Sequence, residues 1–237
     1  MRLIFVRHGE PDYENDCLTE NGREQARCTA ERLKDEKISA VYSSPNGRAR
    51  ETASYTAELQ GIKDIHVLDF MHEIDWGDVR ENSGALPDRL EYDGHPWTLA
   101  YKLLTEEPSY VGSADWDKHR YFSGNKCLGY YDMISRRFDE FLSGFGLVRR
   151  DGLYFCEKSC DDTIALFAHG GSGAVMFSHI LSLPFPFVLT TLPYGVCSVS
   201  VIEFGAEVGR LTVPRLELFN DMAHIVNYRQ ETLNFDK

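Results

Sequence analysis

The sequence predicts an α/β fold of three layers, α/β/α, built on a mostly parallel central sheet, and three observations predict it. Short apolar runs at Leu3–Val6, Ala40–Tyr42 and Ile164–Ala168 read as strands buried on both faces, as parallel strands are. Each run is followed by a segment with helical spacing or capping signals, the alternation that a parallel sheet requires. The 237 residues, 43% of them hydrophobic, suffice for one substantial core. A single domain over residues 1–237 is therefore expected, with 81–124 inserted as a cap.

Leu3–Val6 leads into LTENGREQARCTAERLKDEK, where Thr19 can cap a helix whose small or apolar face takes Ala26, Ala30 and Leu33. Ala40–Tyr42 follows, so strand, helix and strand read as a right-handed unit with parallel strands. In SSPNGRARETASYTAEL, Ser44 is a good N-cap and Pro45 suits a first turn, which predicts a helix from Pro45 to Leu59. A short strand-like run at His66–Leu68 comes next. Residues 81–124 mix glycine, proline and serine with Tyr92, Trp97, Tyr101, Tyr110, Trp116, Tyr121 and Phe122, and carry one helix near Trp97–Thr105. A stretch that long inside a compact domain reads as a functional lid. A helix over Leu128–Phe145 and a strand over Gly152–Phe155 precede Ile164–Ala168. HGGSGAVMFSHILSL then opens with glycines and turns helical near Ser172. VCSVSVIEF and RLTVPRLELF read as a hairpin that widens the sheet.

The formal net charge is -12, which leaves no basic surface to track a nucleic-acid backbone and argues against nucleic acid as a partner. The same acidity repels phosphorylated substrates at long range, so an anion site must be built locally from arginines and backbone N–H groups. No run of about 18 apolar residues exists, and MRLIFVRHGE turns charged too early for a signal peptide. A soluble, cytoplasmic protein with no membrane partner is expected, its oligomeric state left open. Cys17, Cys28, Cys127, Cys156, Cys160 and Cys197 show neither a C-x-x-C pair nor a metal-ligand spacing with histidine, so they read as reduced thiols.

Ligands of open parallel sheets bind beyond the carboxyl ends of the strands. The residues that follow the three apolar runs are Arg7 and His8, then Ser43, Ser44 and Arg48, then His169 with Gly170 and Gly171. One sheet edge would thus hold two arginines, two histidines and two helix N-termini, a set suited to a phosphoryl group. A histidine there is either the ligand's partner or its attacker, since neutral imidazole is nucleophilic and the cations stabilise charge on the transferring oxygens. An acid for the leaving oxygen is found in MHEIDWGDV, where Glu73 is the candidate and Asp75 its competitor. Burial would raise the Glu73 pKa and the arginines would lower it.

The blocks RHGE at Arg7–Glu10, LTENGREQA at Leu18–Ala26, SSPNGRARETA at Ser43–Ala53, HEIDWGD at His72–Asp78 and AHGGSG at Ala168–Gly173 resemble, in order, those of the histidine phosphatase superfamily, the phosphoglycerate mutase-like family. The resemblance implies that His8 is the nucleophile that becomes phosphohistidine. Arg7, Arg48 and His169 would form the phosphate pocket, and Glu73 would be the proton donor. Glu10, Asn15 and Gly170 are expected at the substrate. No metal and no cofactor is implied.

The family reaction has two fates, transfer of the phosphoryl group to water or to a second alcohol. Mutases typically follow RHGE with a serine or threonine, then a tryptophan and an asparagine. Here PDYEND follows, with Glu14 where asparagine is common and Asn15 one place later. In 81–124 the acids Asp88, Glu91, Asp93, Glu106, Glu107, Asp115 and Asp117 outnumber Arg89, Lys102, Lys118 and Arg120, which does not resemble a clamp for a doubly anionic metabolite. The aromatics there either bind a ring-bearing leaving group or pack the cap onto the sheet. The leading expectation is a metal-independent phosphomonoester hydrolase acting on a small phosphorylated substrate. The alternatives are a phosphoglycerate mutase or other phosphotransferase, and a catalytically idle phospho-ligand-binding protein.

Overall fold

Side chains of Arg2–Arg7 (β1) alternate between two apolar layers: Leu3 and Phe5 enter one core, Ile4 and Val6 the other. This period of two, with both faces buried, makes β1 a central strand. The computed structural model describes residues 1–74, 95–205 and 207–228. After β1 come the small hairpin strands Pro11–Asp12 (β2) and Cys17–Leu18 (β3), helix Glu20–Leu33 (α1), strand Ile38–Ser43 (β4), helix Gly47–Gln60 (α2) and strand Ile65–Val67 (β5). Helix Pro96–Glu106 (α3) and helix Cys127–Gly144 (α4) lead to the hairpin Leu147–Arg150 (β6) and Leu153–Cys156 (β7). Strand Thr163–Ala168 (β8), helices Gly170–Leu181 (α5) and Phe185–Thr191 (α6), and strands Val199–Glu203 (β9), Leu211–Thr212 (β10) and Arg215–Asp221 (β11) complete the order.

The main sheet has six strands in the order β11-β9-β1-β8-β4-β5. β1, β8, β4 and β5 are parallel, and β9 pairs antiparallel with both β1 and β11. β8 therefore lies between the first two parallel strands that the sequence predicts. Leu33, Ala53 and Ala57 of α1 and α2 pack on one face with Val41, Ala165 and Phe167. Residues of α3, α4, α5 and α6 pack on the other with Ile164 and Leu166. These are the three layers expected.

Thr19 caps α1 as predicted, its hydroxyl accepting from the Gly22 N–H at 3.0 Å. Three boundaries differ. α2 starts at Gly47 with Asn46 as N-cap, because the Ser44 hydroxyl is engaged with Asn46 and His169 instead of capping the helix. α5 starts at Gly170, not near Ser172, with His169 extended as its N-cap; burial of Gly170–Ser178 outweighs the poor helix propensity of glycine. RLTVPRLELF splits into β10, which joins β7 and β6 in a separate three-stranded sheet, and β11, since Pro214 has no N–H to continue a ladder.

Residues 81–94 of the expected cap lie outside the described residues. In 95–124, Trp116, Tyr121 and Phe122 are buried, and Trp116 sits 5.1–5.5 Å, ring to ring, from Phe122, Tyr131 and Phe185. These aromatics pack the insertion onto α4 and α6. No helix among the described residues is long and apolar enough to cross a membrane.

Candidate active site

The ladder of the parallel strands sets the candidate residues level. Arg7 is in register with Ala168, and Ser43 with both Phe167 and Val67. Bonds beyond the strand ends hold that alignment: His8 N–H to the Ala168 carbonyl, Ser44 N–H to that of Phe167 and Leu68 N–H to that of Ser43, all at 2.8–2.9 Å. The chain past β5 turns through Asp69–Met71 and returns Glu73 to the same edge.

His8 is almost completely buried. Its Nδ1 lies 2.7 Å from the Gly9 carbonyl oxygen, an acceptor, so Nδ1 carries the proton and Nε2 the lone pair. Nε of Arg48 donates to that Nε2 at 3.4 Å. Burial first, then the charge of Arg7, pushes the His8 pKa down to about 3, so the ring is neutral at pH 7. Gly9 admits no side chain: a Cβ there would stand 2.7 Å from the Gly22 carbonyl oxygen. The Gly9 N–H donates to Thr52 Oγ1, and Thr52 Oγ1 donates to the Arg48 carbonyl, so one hydroxyl ties the His8 loop to α2.

Arg7 donates from Nη1 to the Tyr194 carbonyl at 2.9 Å, while its buried Nε has no partner among the described residues. His169 packs 5.0 Å from His8, centroid to centroid, and is held by a 2.6 Å contact between its Nε2 and Ser44 Oγ. Its Nδ1 is likewise buried and unpartnered, and burial drives its pKa well below the usual histidine range. Arg48 donates from Nη1 to Asp16 at 2.6 Å, and its guanidinium lies under the exposed ring of Tyr13. An unsatisfied buried guanidinium N–H and an unpartnered ring nitrogen beside two arginines are what an anion would complete.

Glu73 Oε1 accepts from the N–H groups of Ile74 and Gly171, each at 3.0 Å. That leaves Oε2 for a proton. Burial raises the Glu73 pKa and outweighs the N–H donors and the charges of Arg7 and Arg48, which resolves the competition left open by the sequence. Asp75, the competitor, lies outside the described residues. Among the described residues no group of three or more His, Cys, Asp or Glu could hold a metal ion.

Residues 3–99 match the family model of the histidine phosphatase superfamily (branch 1). This segment belongs to the histidine phosphatase superfamily. A probable phosphoglycerate mutase of Photorhabdus laumondii is 35% identical over 74 residues, 27% of this chain and 34% of the relative. Phosphoserine phosphatase 1 of Hydrogenobacter thermophilus is 32% identical over 84 residues, covering 30% and 40%. The chain thus spans well under two thirds of these curated relatives. A histidine-to-alanine mutant of phosphoserine phosphatase from Entamoeba histolytica, solved with phosphoserine, superposes with a TM-score of 0.62 at 20% identity over 95% of this chain and 99% of that one. A mycobacterial glucosyl-3-phosphoglycerate phosphatase gives 0.60 at 22% identity over 92% and 98%. At these identities the likeness is one of fold.

Of the residues predicted for the site, Arg7, His8, Arg48, Glu73, His169 and Gly170 converge. Gly170 opens α5 against Arg7, whose Cζ a Cβ at that position would meet at 3.4 Å. Glu10 and Asn15 are engaged elsewhere: Glu10 accepts from Thr19 and Asn21 at the start of α1, and Asn15 donates to Asp12. The sequence reading missed Asp16, Thr52 and Tyr194. Tyr194 holds Arg7 through its carbonyl and donates its hydroxyl to the Gly170 carbonyl. Trp97, on α3, lines a small cleft beside Arg7 and Gly170 with Leu189, Leu192 and Pro193.

Proposed function

We propose that this chain is a phosphomonoester hydrolase that works through a phosphohistidine intermediate without a metal. The observation that carries the reading is His8 Nε2, neutral and carrying the lone pair, beside the Arg48 guanidinium. In the first step Nε2 attacks phosphorus and the bond from phosphorus to the ester oxygen breaks. Glu73 gives its proton to that oxygen, so an alcohol leaves. Arg7 and Arg48 take the phosphoryl oxygens, and His169 Nδ1 joins them as an N–H donor in the tautomer in which Ser44 turns its hydroxyl hydrogen from Asn46 to Nε2. In the second step water attacks phosphorus, Glu73 recovers a proton from it, and the bond to His8 breaks to release inorganic phosphate.

The family membership of residues 3–99 and the phosphatases that share the fold support hydrolysis of a small phosphorylated metabolite. The described part of the insertion, 95–124, with Trp97 beside Arg7, is read as a cap over the leaving group. Phosphoserine and 3-phosphoglycerate, ligands of the Entamoeba enzyme, are the first compounds to try. The test is a phosphoester panel on wild type and His8→Ala, scored for free phosphate and for products with the phosphate moved. Released phosphate that survives a chelator and is lost in His8→Ala is expected. Turnover that a chelator abolishes, or that His8→Ala retains, refutes the reading.

The relatedness to a probable phosphoglycerate mutase supports a second reading, transfer to an alcohol. Isomerised product exceeding free phosphate in the same panel would favour it. Absence of an acid-labile phosphoenzyme with every ester would instead leave a phospho-ligand-binding protein.

A further inference from the structure

The loop that departs from the mutase pattern has a structure of its own. Asp12 Oδ1 accepts from the N–H groups of Glu14 and Asn15, and its Oδ2 from the Asn15 side chain. This turn delivers Asp16 in a left-handed backbone conformation, φ 47°. Both carboxylate oxygens of Asp16 are then used on α2: Oδ2 accepts from the Gly47 N–H and Oδ1 from Nη1 of Arg48, each at 2.6 Å. The backbones meet as well, since a Cβ at Gly47 would stand 2.1 Å from the Asp16 carbonyl oxygen. Arg48 is 9% exposed at its side chain, so the pair closes a guanidinium that is otherwise buried.

We propose that Asp16 is a positioning residue of this site: it holds Nη1 of Arg48 and so keeps Nε turned on His8. The proposal rests on the phosphoryl-transfer reading above and adds to it the device that aims the arginine. Arginine has several rotatable bonds, and a misplacement of about 1 Å can cost ~10²-fold in rate. A carboxylate that grips both the helix backbone and the guanidinium removes that freedom before substrate arrives. An amide at 16 is uncharged and puts an NH2 donor where one of the two carboxylate oxygens stood, so Arg48 and Gly47 no longer each have an acceptor oxygen of their own. Burial raises the Asp16 carboxyl, yet the Gly47 N–H and Arg48 outweigh it and hold it below the usual carboxylate range, so it stays charged at neutral pH.

The variants to use are Asp16→Gly and Asp16→Asn, since both residues accept a left-handed backbone and keep the loop's course. Binding of inorganic phosphate and of orthovanadate is measured by calorimetry, with turnover of p-nitrophenyl phosphate alongside. Orthovanadate can adopt the five-coordinate geometry of in-line transfer, so its affinity reads the aim of Arg48. Asp16→Gly is expected to weaken vanadate by about tenfold or more, phosphate by less, and to lower kcat more than it raises KM, with Asp16→Asn between it and wild type. In an Arg48→Ala background the effect of Asp16→Gly should disappear. A drop in melting temperature with unchanged vanadate-to-phosphate selectivity and kcat, or a full effect in the Arg48→Ala background, means that Asp16 only caps α2 and overturns the proposal. Wild-type protein that binds neither anion overturns the phosphoryl-transfer reading itself.

Discussion

Nε of Arg48 lies 3.4 Å from Nε2 of His8, the ring nitrogen left without a proton by the Gly9 carbonyl. A fixed cation at the attacking atom does two things: it disfavours protonation of the ring and it waits where charge on the phosphoryl oxygens develops. Arg48→Ala is expected to lower kcat/KM for p-nitrophenyl phosphate by ~10²–10³-fold, the loss typical of one preorganised donor. Arg48→Lys should recover little, because an ammonium lacks the planar fork that serves Asp16 and substrate together. Steady-state kinetics checks this, and a loss below about tenfold would remove Arg48 from the role.

Burial and Arg7 hold the His8 pKa near 3, against 6.5 for a free histidine. Between those values the unfolded chain takes up the proton and the folded one does not. Stability therefore rises with pH through this window and the contribution is complete above the unfolded value. His8→Gln should lose less urea resistance than wild type on going from about pH 7 to about pH 4, since it removes one of the groups that must stay neutral. His169, also held neutral by burial, keeps part of the slope. Parallel midpoint curves for the two proteins would contradict the assignment.

Glu73 is raised by burial, so its acid form persists above the ordinary carboxyl range. Proton donation is then available below the folded-state pKa and is lost as pH rises through it. Glu73→Gln should lower kcat for an alkyl ester such as phosphoserine by ~10²–10⁴-fold, the usual worth of a positioned acid. For p-nitrophenyl phosphate, whose phenolate leaves without a proton, the loss should be far smaller. Rates over a pH series on both esters read the contrast, and equal losses would assign Glu73 to holding Gly171 instead of donating a proton.

The parallel strands and their carboxyl-end residues were legible because both signals are local: apolar runs, and the residues directly after them. Thr19 was legible for the same reason, as a cap bonds within its own first turn. Ser44 was misread as a cap because its partner, His169, is distant in sequence, and nothing nearby announces the contact. Tyr194 was invisible for a related reason, since it acts on Arg7 through a backbone carbonyl that any residue could supply. Asp16 sat in a segment read for what it lacked relative to mutases, while its partners on α2 became visible only in the folded chain.

Thr52 offers the most direct test of how the His8 loop is held. Its Oγ1 accepts from the Gly9 N–H at 3.0 Å and donates to the Arg48 carbonyl at 2.8 Å, and the residue is fully buried. Valine has nearly the same shape but no acceptor, so Thr52→Val leaves the Gly9 N–H buried and unpaired at a cost of about 1–3 kcal/mol. Thr52→Ser keeps the hydroxyl and gives up one methyl, worth about 0.8 kcal/mol. Denaturant melts should therefore rank wild type above serine and serine above valine. Because Gly9 follows His8 directly, the valine variant should also lose kcat/KM, and serine should stay close to wild type. If valine instead matches wild type while serine is the less stable, the methyl and not the hydrogen bond is what Thr52 contributes, and the tie between the His8 loop and α2 rests on the Asp16 contacts with Gly47 and Arg48 and on the bond from Arg48 to His8.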